Sequence, residues 1–172
     1  MTRSAPVAPS QKSEPSPQKQ QAQPAGGNGC PEQLKLDNQL CFALYAAANR
    51  MTRAYQSLLA QLGVTYPQYL VLLVLWEHGA QSVGELGQAL DLDSGTLTPL
   101  LKRMQNAGLV LRERDAGDER RVVISLTAAG VKLREQAEQL PIALACRINM
   151  PVEDTVGLRD ELKRLRQILA AL

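Results

Sequence analysis

Three thiols, a single imidazole and a cluster of phenols are the groups in this chain best suited to chemistry. The thiols are Cys30, Cys41 and Cys146, and the imidazole is His78. There is no CxxC pair and no His/Cys cluster, so no metal centre is expected. A lone histidine without a Gly-rich nucleophile elbow leaves hydrolysis without a base, so no enzyme is expected either. His78 falls at the C-terminal end of a predicted helix, where a solvated or dipole-compensating role suits it. Thiol redox chemistry remains, and Cys41 is the thiol placed for it. A free cysteine is ordinarily a small buried hydrophobe, and that reading stays open. Two features argue for more. All six aromatic residues lie between Phe42 and Trp76, and four are tyrosines: Tyr45, Tyr55, Tyr66 and Tyr69. Phenol hydroxyls are donors that stabilise a thiolate or a sulfenate. Cys41 also falls in the second turn of a predicted helix, near the end that favours a thiolate. Tyr55 is 14 residues further along that helix, about 21 Å by axial rise. If Tyr55 serves Cys41, it comes from a second copy, with the two helices crossing antiparallel.

A second constellation is built for phosphate and base edges. Ser94, Thr96, Thr98, Lys102 and Arg103 share the polar face of a predicted helix that has no carboxylate after Asp93. Its other face carries Leu97, Leu100, Leu101 and Met104. Arg112, Arg114, Arg120 and Arg121 follow on a predicted hairpin. An arginine on a thin ribbon suits a narrow minor groove, where negative potential is enhanced. Asp115, Asp118 and Glu119 oppose DNA by charge, and pairing with the arginines is their expected use.

The elements that position these groups can be read from periodicity and caps. Leu36 to Leu62 repeats apolar residues at spacings of three or four and ends at Gly63, which predicts a long helix with Asp37 in its first turn. A nearly all-apolar helix begins near Pro67 and is expected at the centre of the fold. Ser82 with Glu85 forms a capping box ahead of a short helix ending at Leu90. Ser94 is expected to cap the next helix, which stops at Gly108. Strands are expected over Leu109–Asp115 and Arg120–Leu126. Thr127 starts another long helix, kinked at Pro141 and ending near Pro151. Leu158, Leu162, Leu165, Leu169 and Leu172 then stripe a last helix at the period of helix-on-helix packing. Two short helices in tight sequence followed by a charged hairpin form a winged helix-turn-helix. The expected fold is mainly α with a small β-hairpin, the winged helix-turn-helix spanning 65–126. Long helices at 36–62, 127–149 and 152–172 offer more apolar surface than a reading head needs, and dimerisation is their natural use.

From Gly117 to Gly130 the chain reads GDERRVVISLTAAG, which resembles the wing of MarR-type transcriptional regulators. The resemblance covers about Leu36 to Leu172. It implies a two-fold dimer on a pseudo-palindromic duplex operator, with Arg120 entering the minor groove and Asp118 steadying the wing. The segment LCFALYAA, then Tyr55, then TYPQYLVL with Tyr66 is similar to one branch of that family, the organic hydroperoxide sensors of OhrR type. That likeness implies oxidation of Cys41 by an organic hydroperoxide, with Tyr55 and Tyr66 contacting it from the other subunit. It also implies that Cys146 resembles the second cysteine of a two-cysteine subclass, which closes an intersubunit disulfide that a cellular thiol reductant later opens. Cys30, 11 residues before Cys41, lies outside the resemblance; no role is the favoured reading.

The whole chain bounds these readings. Residues 1–31 are rich in Pro, Gln, Ser, Ala and Gly and are expected to be disordered, leaving one domain over 32–172. Beyond the tail, basic and acidic residues cancel, so a nucleic-acid reading rests on where charges sit rather than on the net +2. No apolar run is long enough to span a membrane and no secretory signal is evident, so a cytoplasmic protein with reduced thiols and no cofactor is expected. The expected mechanism is a repressor whose heads sit about 34–36 Å apart on DNA and lose that spacing on oxidation. The rival is a MarR-type repressor gated by a non-covalent phenol or aromatic acid, in a pocket lined by Tyr55, Tyr66 and Trp76. A scaffold that binds no DNA, and a thiol peroxidase, are weaker alternatives.

Overall fold

The apolar run after Thr65 forms the helix against which the segment from Val83 to Ala137 packs. A computed structural model describes Met1 and residues 31–171. Cys30 and nearly all of the predicted tail therefore lie outside the described residues, as does Leu172. The chain divides into two units, Met1–Phe42 and Ala43–Leu172.

In the first unit, two single 3-10 turns, Glu32–Leu34 and Leu36–Asn38, precede α1, Leu40–Leu59. Asn38 donates its side-chain amide to the Glu32 carbonyl at 2.8 Å, and Gln39 donates to the Lys35 carbonyl at 3.2 Å. These side-chain bonds hold a turn conformation where the leucine spacing predicts helix. The long helix thus begins at Leu40 rather than Leu36, and Asp37 belongs to a 3-10 turn. Cys41 consequently sits in the first turn of α1, not the second.

In the second unit α1 ends in a 3-10 turn, Ala60–Leu62, and Gly63 at φ +66° closes it. The next helix, α2, spans Tyr66–His78. The Thr65 amide donates to Gln68 Oε1 at 2.8 Å, and Pro67 occupies the first turn, where its missing amide costs nothing. Tyr69, Val71, Leu72 and Leu75 are buried, and α2 is the centre the apolar run predicts. A two-residue strand β1, Gln81–Ser82, leads into α3, Val83–Leu90. Then come α4, Ser94–Asn106, and the strands β2, Val110–Arg114, and β3, Val122–Leu126. The hairpin is present, but β1 joins it, giving an antiparallel sheet in the order β1-β3-β2. Gln81 faces Ile124 and Ser82 faces Val123, while Val110 to Arg114 run opposite Leu126 to Val122. Leu86, Leu97, Leu101, Met104, Val110 and Ile124 close this head around α2.

Thr127 caps α5, Ala128–Ala137, by accepting from the Gly130 amide at 3.0 Å. The kink expected at Pro141 is a break: the helix stops at Ala137 and α6, Leu140–Ile148, starts anew with Pro141 in its first turn. Asn149 at φ 51° ends α6, and Pro151 precedes α7, Val152–Leu169. No residue of α7 is buried, and Leu158, Leu162 and Leu169 of its predicted stripe are exposed. Among the described residues, no single helix is long and apolar enough to cross a membrane.

Candidate functional site

The reading head begins with two caps. Ser82 accepts from the Glu85 amide at 3.2 Å while Glu85 Oε2 accepts from the Ser82 amide at 2.7 Å, the reciprocal box the spacing predicts. Asp91, at φ 53°, turns the chain out of α3. The Leu92 amide donates to the Gly87 carbonyl at 3.0 Å. A Cβ on Gly87 would lie 2.8 Å from the Leu92 oxygen, so the turn between the two helices needs glycine there.

The cap of α4 is Asp93, one residue earlier than expected; Ser94 is the first helical residue. An Asp carboxylate offers two acceptor oxygens, and both are used: the Thr96 amide donates at 2.8 Å and the Thr96 hydroxyl at 2.9 Å. Thr98 donates its hydroxyl to the Ser94 carbonyl at 2.7 Å. Of the polar residues singled out on this face, Ser94, Lys102 and Arg103 are exposed and their side chains make no hydrogen bond or ion pair among the described residues, whereas the Thr96 and Thr98 protons are already committed.

The wing turn is held by its carboxylates. Asp115 Oδ1 accepts from the amides of Gly117 at 2.8 Å and Asp118 at 3.2 Å. Asp118 Oδ1 accepts from the Arg120 amide at 3.1 Å and from its Nε at 3.2 Å. The Arg120 side chain is 92% exposed, so Asp118 aims it without covering it. Arg121 turns back toward Glu85 of α3, at 3.5 Å, and Arg112 is half-buried lower on β2. Hydrogen bonds from Ser82, Thr96 and Gly117 hold Glu85, Asp93 and Asp115, respectively, below the usual carboxylate range. Their contribution to the head is present at neutral pH and is lost only as pH falls through those lowered values.

The thiols and the phenols belong to other elements. Cys41, on the first turn of α1, and Cys146, on α6, are both exposed free thiols. Tyr55 of α1 stacks on Tyr66 of α2, ring centroids 5.0 Å apart, and stands 5.8 Å from Tyr69. Tyr69 in turn meets Trp76 edge-on at 6.3 Å. Tyr69 is missing from the sequence-derived set, although its spacing of three from Tyr66 puts both on one face of a helix. Burial above all, then the neighbouring Tyr69 and Tyr66, pushes Tyr55 from 10.0 up to about 12. Burial also raises Tyr66 and Tyr69. At physiological pH these phenols are therefore neutral and able to donate. Alkaline titration followed by tyrosinate absorbance should show a last ionisation near 12, which Tyr55→Phe removes. Because the folded values are raised, the cluster's stabilisation is complete below pH 10 and fades as pH rises toward 12.

Arg147, also absent from the sequence-derived set, ties α6 to α1: its Nη1 donates to Ser57 Oγ at 2.6 Å and to the Ala54 carbonyl at 3.4 Å. These two acceptors flank Tyr55. The detectable signal is periodic, since Arg147 follows buried Leu140 and Leu144 at helical spacing on the inner face of α6. A cleft of about 410 Å³ opens between α2 and the α5–α6 break, lined by Tyr69, Trp76, Arg134 and Pro141. Of the residues expected to line a ligand pocket, Trp76 is there, and Tyr55 and Tyr66 are not.

Capped paired helices joined to a three-stranded wing define a winged helix-turn-helix protein. A family model described as the transcriptional regulator SarA/Rot matches residues 53–137. The organic hydroperoxide resistance transcriptional regulator of Bacillus subtilis (strain 168) is 48% identical over 138 residues, spanning 80% of this chain and 94% of its own. AbfR of Staphylococcus epidermidis has been solved in three relevant states. Reduced and bound to DNA, it matches at TM-score 0.68 and 39% identity over 81% of this chain and 97% of its own. Overoxidised and bound to DNA, it matches at TM-score 0.64 and 39% identity over 80% and 97%. With its disulfide formed, it matches at TM-score 0.53 and 41% identity over 78% and 94%. The chain belongs to the MarR/SarA family of winged-helix transcriptional regulators. Like these relatives it is a regulator and not an enzyme.

Proposed function

We propose that this regulator is a homodimeric, DNA-binding repressor that senses organic hydroperoxides through Cys41 and Cys146. The Cys41 thiolate attacks one peroxide oxygen; an S–O bond forms, the O–O bond breaks, and the alcohol leaves after taking a proton. The sulfenic acid so formed is attacked by the thiolate of Cys146 of the partner subunit. An S–S bond forms, the S–O bond breaks, and the hydroxyl departs as water. Two thiols and one hydroperoxide become a disulfide, an alcohol and water, and a cellular thiol returns the two electrons.

The observation that carries this reading is the anchoring of α6 beside Tyr55 by Arg147. Fourteen residues of helix separate Cys41 from Tyr55, so an antiparallel pair of α1 helices brings the thiol of one subunit to the tyrosines of the other. Cys146 directly precedes Arg147, whose side chain bonds to that end of α1. The phenols of Tyr55 and Tyr66, neutral at physiological pH, are donors for the developing thiolate and sulfenate. Exposed Leu40, Tyr45 and Met51 on α1 and Leu158, Leu162 and Leu169 on α7 supply apolar surface for a two-fold interface. On DNA, Ser94, Thr96, Thr98, Lys102 and Arg103 face the major groove, Arg120 enters the minor groove, and Arg121 braces the wing turn against Glu85 of α3. AbfR is known on DNA in an overoxidised form, which favours the crosslink, rather than oxygen added to sulfur, as the step that releases the operator.

A second reading is favoured by the cleft beside Trp76 and Arg134, whose lining suits an aromatic acid held non-covalently. One experiment separates them. Wild type, Cys41→Ser and Cys146→Ser are treated with one equivalent of an organic hydroperoxide and run on a non-reducing gel. A dimer-sized band in wild type only, lost on adding reductant, is the expected result. Wild type remaining at monomer size would sink the two-cysteine mechanism.

A further inference from the structure

We infer that Arg147 is the positioning residue for the resolving thiol. The assignment rests on the redox reading above and adds to it the group that fixes where Cys146 waits. Helix α6 is short and interrupted at both ends, by the break before Leu140 and by Asn149 in the left-handed region followed by Pro151. Such a segment swings as a unit unless something ties it down. Leu140 and Leu144 bury one side of its first half. At its C-terminal end the tie is polar and belongs to Arg147: Ser57 Oγ at 2.6 Å and the Ala54 carbonyl at 3.4 Å. Both acceptors lie within a turn of Tyr55, whose ring is itself wedged against Tyr66 and Tyr69.

The guanidinium thus links the helix carrying the resolving thiol to the turn of α1 that the partner's Cys41 approaches. Cys146 stays on the exposed flank of α6, one residue from the anchor and one turn beyond exposed Ile142. A sulfenic acid has two fates. Attack by Cys146 gives the disulfide and expels water, and a second hydroperoxide gives the sulfinic acid and another alcohol. The anchor favours the first by keeping the nucleophile within reach, since small displacements of a reacting group cost large factors in rate.

The test follows Cys41 by mass spectrometry and sulfenate trapping after rapid mixing with an organic hydroperoxide, in wild type, Arg147→Ala, Arg147→Lys and Ser57→Ala. Sulfenic acid should form at the same rate in all four. Disulfide closure should slow by roughly tenfold or more in Arg147→Ala, less in Ser57→Ala, which keeps the Ala54 contact, and least in Arg147→Lys. The slowed variants should accumulate sulfinic acid at high peroxide. Ser57→Ala, a small change at an exposed site, guards against a folding defect in Arg147→Ala. Closure at the wild-type rate in both Arg147→Ala and Ser57→Ala overturns the assignment while leaving the redox reading intact. No Cys41–Cys146 disulfide in wild type overturns the reading and the assignment with it.

Discussion

Gly130→Ala lowers the unfolding free energy by about 3 kcal/mol, a fall in melting temperature of roughly 6–12 °C. A Cβ at this position would sit 2.2 Å from the Leu109 carbonyl oxygen and 3.1 Å from Leu126 Cδ2. The first contact is with backbone that cannot yield cheaply. That same carbonyl accepts the Thr127 amide at 3.1 Å and the Thr127 hydroxyl at 3.2 Å. On the other side, the Gly130 carbonyl accepts the Trp76 indole N–H at 2.9 Å, so moving α5 aside breaks its tie to α2. Thermal unfolding at fixed protein concentration, under reducing conditions, measures the effect. Gly84→Ala is the control, because its Cβ would meet nothing closer than 3.9 Å. Equal melting temperatures for the two variants would show that α5 is not seated on Leu109 as described.

Arg120→Ala should weaken DNA binding by about 1–3 kcal/mol, roughly five- to 150-fold, and flatten the salt dependence of affinity. Arg120 is the wing residue with both extreme exposure and a defined aim, because Asp118 holds its Nε and its amide. Asp118→Ala leaves the cation and removes its aim, so affinity should fall less and the salt slope should stay. Fluorescence anisotropy with a duplex selected from a random-sequence pool, at several salt concentrations, reads both quantities. Unchanged affinity and slope in Arg120→Ala would mean that the winged helix serves as a scaffold for something other than DNA.

Local chemistry was the most legible part of this chain. Ser82 with Glu85, Thr127 before α5 and Gly63 after α1 all mark real ends, because capping is decided by neighbours within four residues. Errors arise where two local signals compete. Asp93 and Ser94 can both cap a helix; the carboxylate wins with two acceptors for Thr96. Leu36 continues the apolar period of α1, yet Asn38 and Gln39 bond back to the chain and delay the helix to Leu40. Pro141 announces an interruption, while its depth depends on what α5 and α6 pack against. Strand β1 is too short to show a period, and only β3 makes it a strand. In the candidate site, Cys41, Cys146 and the tyrosines stand out by residue type. Arg147 does not, because its meaning lies in Ser57, ninety residues away in sequence.

Ser82 belongs to two elements at once. It ends β1, facing Val123 of the wing's inner strand, and it opens α3 as the partner of Glu85. Arg121, from the wing turn, returns to the same Glu85. The hinge one would look for between hairpin and helices is thus occupied by a single small residue with obligations on both sides. A regulator built this way has little means of answering a signal by bending its wing. Under the function proposed above, its expected output is a displacement, the head carried whole from one set of DNA grooves to a place where they no longer fit. Loss of grip by the two heads together is then the expected form of release from DNA, and a response graded along the wing is not.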